Sequence, residues 1–263
     1  MSKPDDAIRL LHMTDMHLRW HQPGTADRTE RLSREMPAVL ERLAGRLDEF
    51  EPDVIVFTGD LLDVPDPVVA GDVEDADALA EALTQAEADY QLVRDLMVAM
   101  ETPFVVIPGN HDVPDLVHKV FPESAPVIDH AGFRFVSFCD DLDAARTPYR
   151  DGAEADLFDT VLSDPEHDLP QIHLQHYMVE PPTFMRSQYD YSTSRTMAQA
   201  IESSDRVVAV LSGHYHPGSL FMGPSGVCYS VVPAICSIPH PVRLMDIRPS
   251  GGIHITDSAV DAA

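Results

Sequence analysis

Five apolar runs in this chain each stop on a cluster of aspartate, histidine or asparagine, and that repetition restricts the fold more than any other feature. IRLLHMT (8–14) leads into Asp15 and His17, DVIVFT (53–58) into Asp60 and Asp63, and FVVI (104–107) into Asn110, His111 and Asp112. QIHL (171–174) leads into His176, and VVAVLS (207–212) into His214 and His216. Short apolar runs bounded by turn residues read as buried strands. In an open α/β sheet, ligands gather beyond the carboxyl ends of the strands, so all five clusters are expected on one rim.

Helical patterns separate the earlier strands. Leu79, Leu83, Ala86, Tyr90, Val93, Met97 and Met100 recur at alternating steps of four and three, which makes one apolar helix face. Leu32, Met36, Val39, Leu43, Leu47 and Phe50 do the same, with Pro37 implying a late start or a kink. Core packing accounts for both stripes. Further runs at 133–139, 227–232, 242–247 and 252–256 make the carboxyl-terminal part strand-rich. The alternation predicts an α/β layer structure with added antiparallel strands or a second sheet. No internal repeat or boundary divides residues 1–263, so a single domain is expected, its motifs spanning 15–216 and residues 217–263 supplying the last strands.

Composition excludes several classes of function. A hydrophobic content of 44% is too high for wholesale disorder. No apolar run approaches the length of a membrane span, and the acidic start MSKPDDAIRLLHMTD lacks a secretory basic region. Cys139, Cys228 and Cys236 are scattered without CxxC spacing and read as reduced thiols of a cytoplasmic protein. A formal charge of −26 repels polyanions, so neither extended nucleic acid nor an anionic membrane is an expected partner.

The clusters share one chemistry. Carboxylate, amide and imidazole donors suit Mn, Fe or Zn, and no cluster offers a thiolate. The ligands are too many for a single tetrahedral ion and enough for two with a shared bridge. Period-two alternation is expected to aim Asp15 and His17, and likewise His214 and His216, to the same side. Gly59 and Gly213 are expected where the backbone must pass close to the ions.

Asp15-x-His17, Gly59-Asp60-x-x-Asp63, Gly109-Asn110-His111-Asp112, His176 and Gly213-His214-x-His216 together resemble the calcineurin-like metallophosphoesterase superfamily. Within it the chain is most similar to bacterial class III cyclic-nucleotide phosphodiesterases and glycerophosphodiesterases. The resemblance implies a four-layer αββα sandwich, two mixed β-sheets flanked by helices, around a di-metal centre. It implies one ion on Asp15, His17, Asp60 and His216, and a second on Asp60, Asn110, His176 and His214. His111 would meet the substrate just outside the coordination sphere, with Asp112 orienting it. The family usually follows the fourth histidine with proline, whereas Tyr177 follows His176 here, and His173 is the competing ligand, expected instead to point into the core. GDLLDVP lacks the arginine of serine/threonine phosphatases and the tyrosine ligand of purple acid phosphatases.

The implied activity is hydrolysis of a small phosphodiester, of cyclic-nucleotide or glycerophosphodiester type, by metal-activated hydroxide. A broad phosphomonoesterase is the alternative, a nuclease ranks third, and a non-catalytic binding scaffold is disfavoured because no ligand is missing. Segment 180–195 offers Arg186, Tyr189, Tyr191 and Arg195 as substrate contacts beside Asn110 and His111; a surface loop or homodimer contact is its other reading.

Overall fold

The computed structural model describes residues 3–182 and 186–261. The first half runs β1 (Ile8–Met13), α1 (Met36–Ala44), α2 (Leu47–Phe50), β2 (Val54–Thr58), α3 (Asp66–Val69), α4 (Ala76–Val98), β3 (Phe104–Ile107) and α5 (Pro114–Val120). It continues through β4 (Val127–His130), β5 (Phe133–Ser137), β6 (Asp141–Leu142), β7 (Pro148–Tyr149), α6 (Gly152–Ser163) and β8 (Gln171–Leu174). Last come α7 (Arg186–Tyr189), α8 (Ser194–Ser203), β9 (Val207–Ser212), β10 (Ser219–Met222), β11 (Cys228–Val231), β12 (Pro241–Ile247) and β13 (Ile253–Ala259).

Two mixed sheets form, of order β13-β12-β1-β2-β3 and β10-β11-β9-β8-β5-β4. In the first, β1, β2 and β3 are parallel, with Met13 opposite Phe57 and Thr58 opposite Ile107. In the second, β5, β8, β9 and β11 are parallel, with Leu174 opposite Leu211. Antiparallel β12 and β13 extend the first sheet and β10 edges the second.

Strand alternation sorts the apolar residues into layers. Ile8, Leu10, Val54, Val56, Val105 and Ile107 face Phe135, Ile172, Leu174 and Leu211 between the sheets. The opposite face of the first sheet, with Leu11, Met13, Ile55 and Phe57, packs on Val39, Leu43, Tyr90, Val93 and Met97 of α1 and α4. The outer face of the second sheet, with Val136, Val210 and Tyr229, packs on Phe158, Val161, Met197 and Ile201 of α6 and α8. Helix, sheet, sheet, helix is the expected four-layer order. Because both faces of each parallel core are covered, β1, β2, β8 and β9 are buried along their whole length.

The stripe from Leu32 to Phe50 divides: the helix begins at Met36 with Pro37 in its first turn and breaks at Gly45, and Leu32 packs on the core from outside it. Among the described residues, no helix is long and apolar enough to cross a membrane.

Candidate metal centre

All five clusters meet where the carboxyl ends of β1, β2, β3, β8 and β9 come together across the two sheets. Backbone bonds knit the turns: Asp15 N–H donates to Gly59 O at 3.0 Å, His17 N–H to Asp60 O at 2.9 Å, and Gly213 N–H to His176 O at 2.9 Å. Gly59 and Gly213 serve this contact between turns. A Cβ on Gly59 would lie 2.8 Å from Gly109 N, and one on Gly213 would lie 2.7 Å from Thr58 O.

The aim of the side chains has a different origin from period-two alternation. Asp15, His17, Asp60 and His214 have φ of 53°, 51°, 54° and 63°, so these turns are left-handed and not extended. Non-glycine residues there carry strain, which is typical of sites whose geometry the surroundings impose.

The first group comprises Asp15, His17, Asp60 and His216. His17 Nε2 stands 3.2 Å from His216 Nε2, 3.7 Å from Asp15 Oδ1 and 3.6 Å from Asp60 Oδ2. His216 Nε2 stands 3.3 Å from Asp15 Oδ1. The other oxygen of Asp15 accepts His214 N–H at 2.9 Å, leaving Oδ1 buried without a hydrogen-bond partner.

The second group comprises Asp60, His176, His214 and Asn110. His176 Nδ1 donates to Thr58 O at 2.7 Å, which leaves Nε2 buried, without a hydrogen-bond partner, 3.3 Å from Asp60 Oδ2. His214 Nε2 donates to Gln188 O at 2.8 Å, so Nδ1 is its open nitrogen. Backbone acceptors of this kind fix the tautomer of a metal-ligating imidazole. Both amide atoms of Asn110 are buried and unpartnered. Buried polar atoms are nearly always satisfied, so this concentration of orphans fits residues awaiting cations.

Asp60 joins the groups. Its Oδ1 accepts His111 N–H at 2.8 Å, and its Oδ2 lies between His17 Nε2 and His176 Nε2. Burial opposes its charge, yet the His176, His111 and His17 rings outweigh burial and hold its carboxyl below the ordinary range. Burial likewise opposes a charged His176, but Asp60 overrides it and lifts that ring to about 9. His214 goes the other way: burial, reinforced by the charge of His176, pushes it down to about 3.

Expected to orient His111, Asp112 directs its carboxylate at backbone N–H groups and a tyrosine. Its carboxylate accepts Leu61, Leu62 and Gly109 N–H at 3.1, 3.0 and 2.8 Å, and Tyr90 O–H at 3.0 Å. With its acceptors spent on tying the second turn to the third, Asp112 is a buried brace. Burial and the nearby charge of Asp60 lift its carboxyl to about 6. The acid beside His111 is Asp63, with Oδ1 at 3.4 Å from both His111 Nδ1 and His17 Nδ1. Arg19 and Arg31 hold Asp63 at 2.7 and 2.8 Å. Burial works against its charge, but the His17 hydrogen bond, His17 charge and Arg19 keep it down at about 2.

His173 is fully buried, bonds Gln171 Oε1 at 2.9 Å and packs against Phe138 and Phe158 of the outer core. The second sheet's outer layer claims it. The side chain of Arg186 lies outside the described residues. Arg195 lines a different cavity, with Glu180, Asp190 and Tyr191. Tyr191 is buried, donating to Asp140. Among the described residues of the 180–195 segment, Gln188 and Tyr189 reach the cleft.

Several cleft residues carry no motif. Arg28, Arg31, Leu142 and Arg146 line it with His111, His214 and His216. A thiol is also present, contrary to expectation: Cys236 Sγ lies within 4.8 Å of ligand atoms of His17 and His216. Burial first, and the charge of Asp15 next, push that thiol up to about 12. It arrives on a turn whose Cys236 N–H donates to Asp15 O at 3.3 Å, a pairing with no local sequence signal.

Known proteins share this arrangement of layers. A dimetal phosphatase from Danio rerio superposes with a TM-score of 0.69 at 14% identity, over 97% of both chains. A purple acid phosphatase from yellow lupin gives 0.60 at 12% identity, over 96% of this chain and 54% of the other. At such identities the likeness is one of fold. Among curated proteins, 115 residues are 34% identical to a component of the nuclease SbcCD from Bacillus subtilis, covering 44% of this chain and 25% of that one. Another 126 residues are 26% identical to a "Probable cyclic nucleotide phosphodiesterase" of Psychrobacter arcticus, covering 46% and 37%. The matches thus span well under half the length of either relative. The model of the calcineurin-like phosphoesterase family, by contrast, matches residues 8–218 and takes in all five clusters: this chain belongs to that family.

Proposed function

We propose that the chain is a two-ion phosphodiesterase acting on a small substrate. The observation that carries this reading is Asp60 Oδ2, 3.6 Å from His17 Nε2 in one group and 3.3 Å from His176 Nε2 in the other. A carboxylate so placed suits a bridging ligand. Asp15, His17 and His216 would complete one ion's set, and Asn110, His176 and His214 the other's. The family's fold implies a divalent dimetal centre, and the unpartnered Asp15, Asn110 and His176 atoms fit it. When bound, such ions supply Lewis acidity and charge neutralisation for in-line displacement at phosphorus.

The protein's own residues do the rest. His111 lines the cleft, and the Asp63 carboxylate can accept a hydrogen bond from its Nδ1–H, leaving Nε2 for a substrate or leaving-group oxygen. Burial holds the His111 ring below the usual imidazole value while Asp60 pulls it upward. A cavity of about 440 Å³ suits a nucleotide-sized ester. The acidic exterior disfavours extended nucleic acid. The partial match to the cyclic nucleotide phosphodiesterase supports the diester reading. A phosphomonoesterase remains the second reading, favoured by the arginines lining the cleft.

Protein stripped with chelator and reloaded with Mn decides between them. It should turn over bis(p-nitrophenyl) phosphate with a higher kcat/KM than p-nitrophenyl phosphate. A clear preference for the monoester would make the enzyme a phosphomonoesterase.

A further inference from the structure

We infer that the rim of the cleft holds a second anion site, formed by Arg28 and Arg146, and that the substrate is a phosphodiester carrying a further anionic group such as a second phosphate. The inference rests on the diesterase reading of the cleft floor. In a chain with 18 Lys and Arg against 44 Asp and Glu, arginines gathered in one cavity call for a cause.

The arginines sit at two depths. Arg31 belongs to the floor: its side chain is 8% exposed and donates to Asp63 Oδ1 at 2.8 Å. Arg28 stands exposed on the loop between β1 and α1 and forms no ion pair among the described residues. Arg146 lies on the turn between β6 and β7, which pair only with each other as a separate two-stranded ribbon. That turn is shaped by Asp143, which accepts Ala145 and Thr147 N–H, each at 2.8 Å, and Arg146 itself has φ 60°.

Arg146 meets Asp66 Oδ2 at 2.8 Å, but the two side chains are 53% and 55% exposed. Such surface pairs contribute little, so a ligand anion can replace Asp66 without much loss. Guanidinium groups bind phosphate through two parallel N–H donors, which favours this exchange. Glu30 also lines the cavity and offsets one charge, so the rim as it stands is balanced and gains net attraction when Asp66 is displaced.

Depth separates the two anions. Asp60 and His176 are 1% and 3% exposed, so the reacting phosphate must sit deep. Arg28 and Arg146 can then meet only a distal group. Half-buried Tyr189 lines the same cavity, its ring 5.4 Å from that of His214, and offers a flat surface to whatever joins the two anions.

The test uses Mn-loaded protein and p-nitrophenyl esters of thymidine 3′-phosphate, made with and without a 5′-phosphate. The 5′-phosphate should raise kcat/KM about tenfold or more, and this ratio should fall to about two or less in Arg28→Gln/Arg146→Gln. No advantage from the 5′-phosphate, or a ratio that persists in the variant, overturns the inference. If neither ester is hydrolysed, the diesterase reading fails and calorimetry judges the rim alone. Thymidine 3′,5′-bisphosphate binding about tenfold tighter than the 3′-monophosphate, only with both arginines present, upholds the anion site; equal binding overturns it.

Discussion

The floor of the cleft and its rim are built by opposite rules. On the floor, Asp15, His17 and Asp60 are essentially inaccessible, and each sits directly after a buried strand whose register is fixed by its neighbours. Chemistry placed at strand ends inherits the rigidity of the sheet. The rim is made of irregular segments held by side chains. The loop carrying Arg28 is anchored by Asp89 of α4, which accepts Trp20, His21 and Gln22 N–H at 3.1, 2.6 and 3.2 Å. Arg34 staples the same loop from within, donating to Trp20 O and Gln22 O at 2.6 and 2.7 Å. The difference suggests that the floor fixes the reaction and the rim selects the substrate.

The largest effect should come from the residue common to both halves of the floor. Asp60→Asn should lower activity by about a thousandfold or more and weaken both ions, since one carboxylate serves two positions. His17→Ala should empty mainly one. Elemental analysis showing the same single-ion loss in both variants would remove Asp60 from the bridge.

His111 lies where floor meets rim, and its loss should separate turnover from metal binding. His111→Gln should reduce kcat by about a hundred- to a thousandfold with metal content unchanged. A variant that loses an ion yet regains full turnover on reloading would make His111 a ligand.

Asp63 contacts both the first histidine and His111 without belonging to either proposed ligand set. Asp63→Asn should cost about ten- to a hundredfold in ion affinity or activity, the usual effect of a partner behind a metal-ligating histidine. An effect below about twofold in both would show that the floor needs no support from behind.

pH provides a gentler probe. In the ion-free protein Asp60 keeps His176 protonated up to about 9, so an incoming ion must displace that proton. The protonated form dominates below that value and competes with the ion, so affinity should climb as pH rises from about 7 to about 8, by about tenfold per proton released. Titration calorimetry in buffers of different ionisation enthalpy counts the protons, and a pH-independent affinity would contradict the His176–Asp60 pairing.

The same contrast explains what could be read from sequence. The five clusters, the αββα layers and the burial of His173 in the core were legible because apolar strand patterns and the residues after them are local features. The left-handed turns were not: Asp15 and His17 look like alternating strand positions, and only contact with the Gly59 turn reveals otherwise. The resemblance made Asp112 a partner for His111, yet Leu61 and Leu62 N–H of the second turn and Gly109 N–H of its own turn claim its carboxylate. Asp63 is next to neither histidine in sequence. Arg28 and Cys236 stand on segments tied to Asp89 and Asp15, far along the chain, and Arg146 on a turn closed by Asp143, so no motif marks them.

A floor that holds two ions through one shared carboxylate must show them in an ion count. Protein saturated with Mn, freed of excess metal and measured by elemental analysis alongside diesterase activity should contain two ions per chain. Full activity with one ion per chain, or with none, would contradict the account.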